Sequence, residues 1–126
     1  MRLLLDTHVV LWQLSGARTL GVRARERIAA AAELAFSVVS FAEIGVKAAL
    51  GKLVVPDDLD ARVVGTGVRL LGLSADHGLA VARLPLHHRD PFDRLLVAQA
   101  RQDGFTLVTA DERIHAYDVA VLDPLT

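Results

Sequence analysis

The chain contains no cysteine in its 126 residues. That excludes a disulfide framework, a thiolate zinc site and a cysteine nucleophile. Aromatic residues are also scarce, with one Trp, one Tyr and four Phe. Trp12 and Phe92 read as core or interface residues rather than platforms for stacking bases. Lysine is confined to Lys47 and Lys52, and the net charge is −1, so no overall field attracts a nucleic acid. The remaining cations are arginines, whose planar forks suit both phosphates and surface ion pairs. No apolar run approaches the roughly 18 to 20 residues of a membrane span. The opening "MRLLLDTHVVLW" superficially resembles a signal peptide. Asp6 and His8 interrupt it, however, and no small-residue cleavage site follows, so it reads as a buried strand entering a helix. No Walker-type glycine loop is present: "GTG" (65–67) is only a glycine pair before a strand. Repeats, low-complexity tracts and linkers are lacking too, which leaves one domain over residues 1–126.

What the chain does have is apolar residues, 52% of the total, with a mean hydropathy of +0.38. A compact Ala/Val/Leu core and a face covered by a partner both account for that excess. The apolar residues fall in short runs that alternate with helical segments. "RLLL" (2–5), "AFSVV" (35–39), "VRLLGL" (68–73), "FTLVT" (105–109) and "DVAVLDP" (118–124) read as five strands. Between them lie "DTHVVLWQL" with Asp6 as N-cap, an Ala-rich helix beginning near Gly21, and "SFAEIGVKAALG" with Ser40 as N-cap and Gly51 just past its end. A short helix follows in "KLVVPDDLDARVVGTG", then "SADHGLAVARLP", capped by Ser74 or Asp76. The best-marked helix is "DPFDRLLVAQARQDG", where Asp90 caps, Pro91 takes the first turn and Gly104 closes. "ADERIHAY" adds a brief helical turn. Strand–helix alternation implies right-handed crossovers and a three-layer α/β/α sandwich around a mainly parallel sheet of about five strands.

Acids stand where strands hand over to helices. Asp6 follows the first strand, Glu43 lies in the turn after the second, Asp90 and Asp93 open the best-marked helix, and Asp111 follows "FTLVT". Singly, each is explained as a helix-start acid, worth roughly 0.3–1 kcal/mol; "SFAE" (40–43) fits a capping box, and "DPFD" (90–93) nearly does. Together they imply more. Ligands of open parallel sheets bind beyond the carboxyl ends of the strands, and carboxylates converging there must either take up protons or share a cation. An all-oxygen donor set suits Mg²⁺ or Mn²⁺ rather than zinc. Such an ion beside helix N-termini favours phosphate chemistry. Without a triphosphate-binding loop, the phosphate is best read as a phosphodiester.

Four stretches, in order and at matching spacing, resemble a known family: "LLLDTHVVLW", "SFAEIGVKAALGKL", "HHRDPFDRLLVAQA" and "LVTADERI". Over nearly its whole length the chain resembles PIN domains, specifically the VapC-type toxins of bacterial toxin–antitoxin pairs. The resemblance implies a PIN-like fold and a Mg²⁺- or Mn²⁺-dependent endoribonuclease. It would hydrolyse RNA with activated water, without a histidine base, to leave a 5′-phosphate and a 3′-hydroxyl. Carried over by position, Asp6 and Asp93 would be the principal metal ligands. Glu43 would bind through water, Asp111 would be the most variable acid, and Thr109 would orient a ligand or water. The resemblance also implies an antitoxin partner, a homodimer and a bacterial cytoplasmic location, with no membrane association.

Other residues carry less. Lys47, four residues after Glu43, is either an ordinary helix ion pair or a cation at the pocket edge. Asp90 is chiefly a cap, with a metal contact as the alternative. Arg94 and Arg89 flank the acids and could bind phosphate or form salt bridges. His8, His77, His87, His88 and His115 show no metal-ligand spacing and read as surface or capping residues, and "RARER" (23–27) reads as a solvated helix face. Two rival functions stand beside the nuclease. One is a receiver-like phosphoryl-transfer domain, which would want paired acids after the first strand and an acceptor after the middle one. The other is a non-catalytic interaction module whose acids only cap helices.

Overall fold

The computed structural model describes all 126 residues. In chain order the elements are β1 (Arg2–Leu5), α1 (Thr7–Ser15), α2 (Val22–Ala29), β2 (Glu33–Ser37), α3 (Val38–Ala49), α4 (Leu59–Gly65) and β3 (Arg69–Leu71). There follow α5 (Ala75–Ala80) with a 3₁₀ turn at Val81–Arg83, α6 (Pro91–Asp103), β4 (Thr106–Val108), α7 (Glu112–His115) and β5 (Val121–Leu122). All four strand pairings are parallel, and the sheet runs β3-β2-β1-β4-β5. The first strands therefore wind outward from β1 in one direction and the last two in the other. In sheets of this kind the ligand crevice lies at the carboxyl ends of the two strands where the winding reverses, here β1 and β4.

The pleat distributes the apolar residues between two helical layers. Leu3 and Leu5 of β1 join Phe36, Val108, Val9, Val10, Ile44 and Val63 on the face covered by α1, α3 and α4. Leu4 joins Ala35, Leu107, Leu96, Val97 and Ile114 on the face covered by α5, α6 and α7. Because both faces are covered, the strands read as unbroken apolar runs. No helix is long and apolar enough to cross a membrane.

The register levels the strand ends, with Leu5 paired to Phe36 on one side and to Val108 on the other. The residues that follow, Asp6, Ser37 and Thr109, thus emerge in one row. Here the structure corrects an expected boundary. α3 starts at Val38, capped by Ser37, whose hydroxyl accepts from the Val39 amide at 3.0 Å. Val38 and Val39 have the branched side chains of a strand, but the sheet ends at Ser37 and they form the first helical turn. Ser40 is therefore inside the helix, fully buried, and no capping box involves Glu43.

The other helix starts follow the sequence more closely. Ser74 caps α5 in a reciprocal box with His77. Asp90 caps α6 by accepting from the amides of Phe92 and Asp93 at 2.8 and 3.2 Å, Pro91 occupies the first turn, and Gly104 ends the helix with φ 74°.

Ser37 also joins three elements. Its hydroxyl donates to Gln99 Oε1 at 2.6 Å, and Gln99 Nε2 donates to the Gly72 carbonyl at 3.2 Å. Gln99 is completely buried, so this link fixes α3 and α6 against the end of β3. Replacing Ser37 by Ala removes a cap and leaves a buried amide oxygen without its donor. Urea denaturation of Ser37→Ala is expected to show a loss of about 2 kcal/mol.

Candidate metal centre at the carboxyl edge of the sheet

Asp6 stands at the N-cap position of α1 but makes no capping hydrogen bond with its side chain. Its backbone amide instead extends the sheet to the Val108 carbonyl at 3.0 Å. The carboxylate is 3% exposed. Oδ2 accepts from the Thr109 hydroxyl at 2.8 Å, while Oδ1 is buried with no partner at all. Burial is the main force raising the Asp6 pKa; the Thr109 hydrogen bond opposes it, and the charge of Glu43 adds to it.

Glu43 is held on both oxygens. Thr7 Oγ1 lies 2.8 Å from Glu43 Oε1 and 2.7 Å from Ser40 Oγ. A carboxylate only accepts, so the Thr7 hydroxyl donates to Glu43 and the Ser40 hydroxyl donates to Thr7. Lys47 Nζ bonds Oε2 at 2.8 Å, which makes it the i, i+4 partner of a carboxylate that is 2% exposed. The same ammonium feels the charges of Asp90 and Asp93, and its pKa is raised, first by the Glu43 hydrogen bond. Lys47 is thus both the helix ion pair and the cation at the pocket edge.

Asp93 lies one turn into α6 and is 9% exposed. Its pKa is pushed from the ordinary 3.8 to about 8, first by burial and then by the charges of Asp6, Asp90, Glu43 and Asp111. The structure therefore brings Asp6, Glu43, Asp93 and Asp111, from four separate segments, into one electrostatic neighbourhood. Asp90 contributes charge, and its Oδ1 is spent on the helix cap. Asp111 caps α7 through Oδ1, which accepts from the Arg113 amide at 2.9 Å, and turns Oδ2 toward the pocket. Thr109 is fully buried and links the two sides of the crevice, donating to Asp6 and accepting from the Asp111 amide at 3.1 Å.

Two residues sit otherwise than the spacing led one to expect. Arg94 directs its guanidinium away from phosphate duty, onto the carbonyls of Val81, Leu84, Pro85 and His88 and the Tyr117 hydroxyl, at 2.9 to 3.4 Å. His88, set aside with the other histidines, is 6% exposed and places Nε2 2.9 Å from Asp93 Oδ2 and 3.0 Å from Asp111 Oδ2. It lies 23 residues from Asp111 and in the same short stretch as Asp93, and neither separation is one that a helix or strand brings to one face. Of the rest, His77 bonds Asp103 at 2.9 Å and His115 the Thr109 carbonyl at 2.8 Å.

The donor set fits a hard divalent cation. Asp6 Oδ1 is a buried oxygen without a donor, and burial together with the crowded carboxylates drives Asp93 toward protonation in the cation's place.

A parallel sheet in this strand order, with acids from four segments facing the crevice beside β1, defines a PIN-type nuclease scaffold. The PIN domain family model matches residues 3–120, and the chain belongs to that family. Among curated relatives it is similar to Ribonuclease VapC22 of Mycobacterium tuberculosis, 31% identical over 117 residues that cover 90% of each chain. Two solved structures share the fold. VapBC2 from Rickettsia felis, bound to a DNA fragment from its promoter, has a TM-score of 0.70 and 16% identity, covering 97% of this chain and 98% of the other. FitAcB from Neisseria gonorrhoeae has a TM-score of 0.65 and 20% identity, covering 97% of each.

The raised Asp93 value sets a pH dependence for the metal-free protein. Between about pH 4 and pH 8 the folded state holds a proton that the unfolded chain has released, so stability falls as pH rises through this window and levels off above it. In EDTA, the melting temperature is expected to be lower at about pH 8 than at about pH 5. Asp93→Asn should reduce that slope, leaving the part that the raised Asp6 contributes, and raise stability at the alkaline end.

Proposed function

We propose that the protein is a divalent-metal-dependent endoribonuclease, the toxin of a toxin–antitoxin pair, acting on RNA in the bacterial cytoplasm. The observation that carries this reading is Asp6: a buried carboxylate with one oxygen held by Thr109 and the other unpartnered, near an Asp93 that burial and then the neighbouring acids push to about 8. Asp6 and Asp93 would be the principal ligands of Mg²⁺ or Mn²⁺, with Glu43 and Asp111 at the margins, the former through water. When bound, the ion would polarise the scissile phosphodiester, make water nucleophilic near neutral pH and offset charge on the leaving 3′-oxygen.

The chain's own residues supply the orientation. Thr109 fixes the face that Asp6 presents. Thr7 and Lys47 hold Glu43 in place through both oxygens, so no free side chain has to be ordered. The start of α6 turns Asp93 inward, and the Lys47 ammonium offers a positive rim to an incoming phosphate. A receiver-like reading finds no support here: β3 is followed by Gly72 and Leu73, with no acid to accept a phosphoryl group.

The protein partner fits the same reading. Apolar residues remain exposed at the end of α3 (Val46, and Leu50 just past it) and around α5 (Leu79, Leu86), as a homodimer would use. A separate groove of about 260 Å³, lined by Leu11, Leu14, Leu53, Val55, Pro56 and Leu59, would suit an apolar segment of an antitoxin. The likeness to the VapBC2 and FitAcB structures supports the antitoxin proposal.

The decisive test is cleavage of RNA by purified wild type, Asp6→Asn and Asp93→Asn in Mg²⁺ or Mn²⁺. Each substitution should reduce cleavage at least about 100-fold with the fold intact by circular dichroism. Equal cleavage by all three proteins would assign the activity to a contaminant and sink the reading.

A further inference from the structure

His88 is the best-fixed side chain near the pocket that the proposed chemistry leaves without a task. Both of its backbone polar groups are held. Its N–H donates to the Tyr117 hydroxyl at 3.0 Å, and its carbonyl lies 3.4 Å from both Tyr117 Oη and Arg94 Nη1. Arg94 in turn bonds Tyr117 Oη at 3.1 Å and gathers the carbonyls of Val81, Leu84 and Pro85, so one guanidinium fastens the whole segment leading to His88.

The ring is fixed as firmly. Nδ1 accepts from the Asp90 amide at 3.2 Å, which assigns the ring proton to Nε2. That Nε2–H donates to Asp111 Oδ2 at 3.0 Å, with Asp93 Oδ2 only 2.9 Å from the same nitrogen. His88, Asp93 and Asp111 have the residue types and proximity of a metal triad, all donor atoms falling within 4.8 Å of one another. The tautomer argues against that assignment. To bind an ion, Nε2 would have to give up its proton, and the proton would move to Nδ1, where it would face the Asp90 N–H head-on.

We propose, building on the nuclease reading, that His88 is a positioning residue and not a ligand: its Nε2–H holds the Asp111 carboxylate beside Asp93, so that both acids present fixed oxygens to the ion. The same Asp90 that caps α6 sets the histidine tautomer through its amide. A helix start, a ring and two carboxylates therefore form one rigid unit. Partners of this kind, one bond removed from the metal, typically govern its affinity by 10–100-fold.

Mn²⁺ alone is the probe. Its affinity for wild type, His88→Ala and His88→Gln is read from the free-ion electron paramagnetic resonance signal, and directly bound nitrogen from pulsed spectra of the wild-type complex. The expected wild-type spectrum shows no coupling to an imidazole nitrogen. His88→Ala should weaken Mn²⁺ binding about 10–100-fold, and His88→Gln, whose amide N–H can take the place of Nε2–H, should recover most of the loss. If His88→Ala does not fold, His88→Met, of similar volume and with no N–H, replaces it. Nitrogen coupling that disappears on substitution of His88 would make the residue a ligand and overturn the proposal, as would unchanged affinity in the alanine or methionine variant. Wild type that fails to bind Mn²⁺, or binds it no better than Asp6→Asn, would bring down the nuclease reading and this proposal together. The histidine variants alone decide the role of His88.

Discussion

Carboxylates gathered in a pocket of low dielectric repel one another, and each loses hydration that the fold must replace. The carboxyl edge of this sheet is organised around that constraint. Glu43 meets it with full partnership, a hydroxyl on one oxygen and an ammonium on the other. Asp111 meets it with a helix amide and an imidazole. Asp93 is pushed toward its neutral form. Asp6 meets it only by half, because Thr109 serves one oxygen and nothing serves the other. The four acids are thus unequal, and the inequality comes from their neighbours rather than from residue type. The least satisfied members are Asp6 and Asp93, the two acids proposed above as the principal ligands.

The scaffold can bear this strain because the rest of the chain is conventional. Two apolar layers clamp a five-stranded parallel sheet, and the level ends of β1, β2 and β4 deliver Asp6, Ser37 and Thr109 in one row. Polar links near that row are buried and complete: Ser37 to Gln99 to Gly72, and Ser40 to Thr7 to Glu43. Buried polar groups with all partners in place rigidify their surroundings. The apolar core thus fixes where the helices lie, and these links fix how their first turns face the crevice.

Much of this was legible in the chain itself. β1 and the ends of α6 follow from local chemistry: an apolar run, then Asp90, Pro91 and Gly104 at the positions their backbone preferences demand. The acids at the strand–helix junctions could be chosen because a parallel sheet sends every such junction to the same edge. Reading failed where a residue answers to distant neighbours. Val38 and Val39 have strand-type side chains but belong to α3, because the sheet ends before them; that misplaced the cap from Ser37 to Ser40 and lent Glu43 a capping role it does not have. Arg94 looked available for phosphate because nothing local shows the four carbonyls that converge on it. His88 was missed because its partners are a backbone amide two residues away, Asp93 just inside the next helix and Asp111 beyond β4, none at a separation that a regular helix or strand brings to one face.

The bond between Thr109 and Asp6 spans 103 residues, and β4, which delivers Thr109, lies against the first strand of the protein. A contact of such range requires closing a long loop of chain, and topologies rich in such contacts fold slowly. A chain still emerging from the ribosome has β1, β2 and β3 to pair, but neither the threonine that orients Asp6 nor the acid that follows it. The crevice has only one wall until nearly the whole sequence has been translated. The set of acids is therefore complete only once Asp111 has been translated, long after Asp6 at the chain's start.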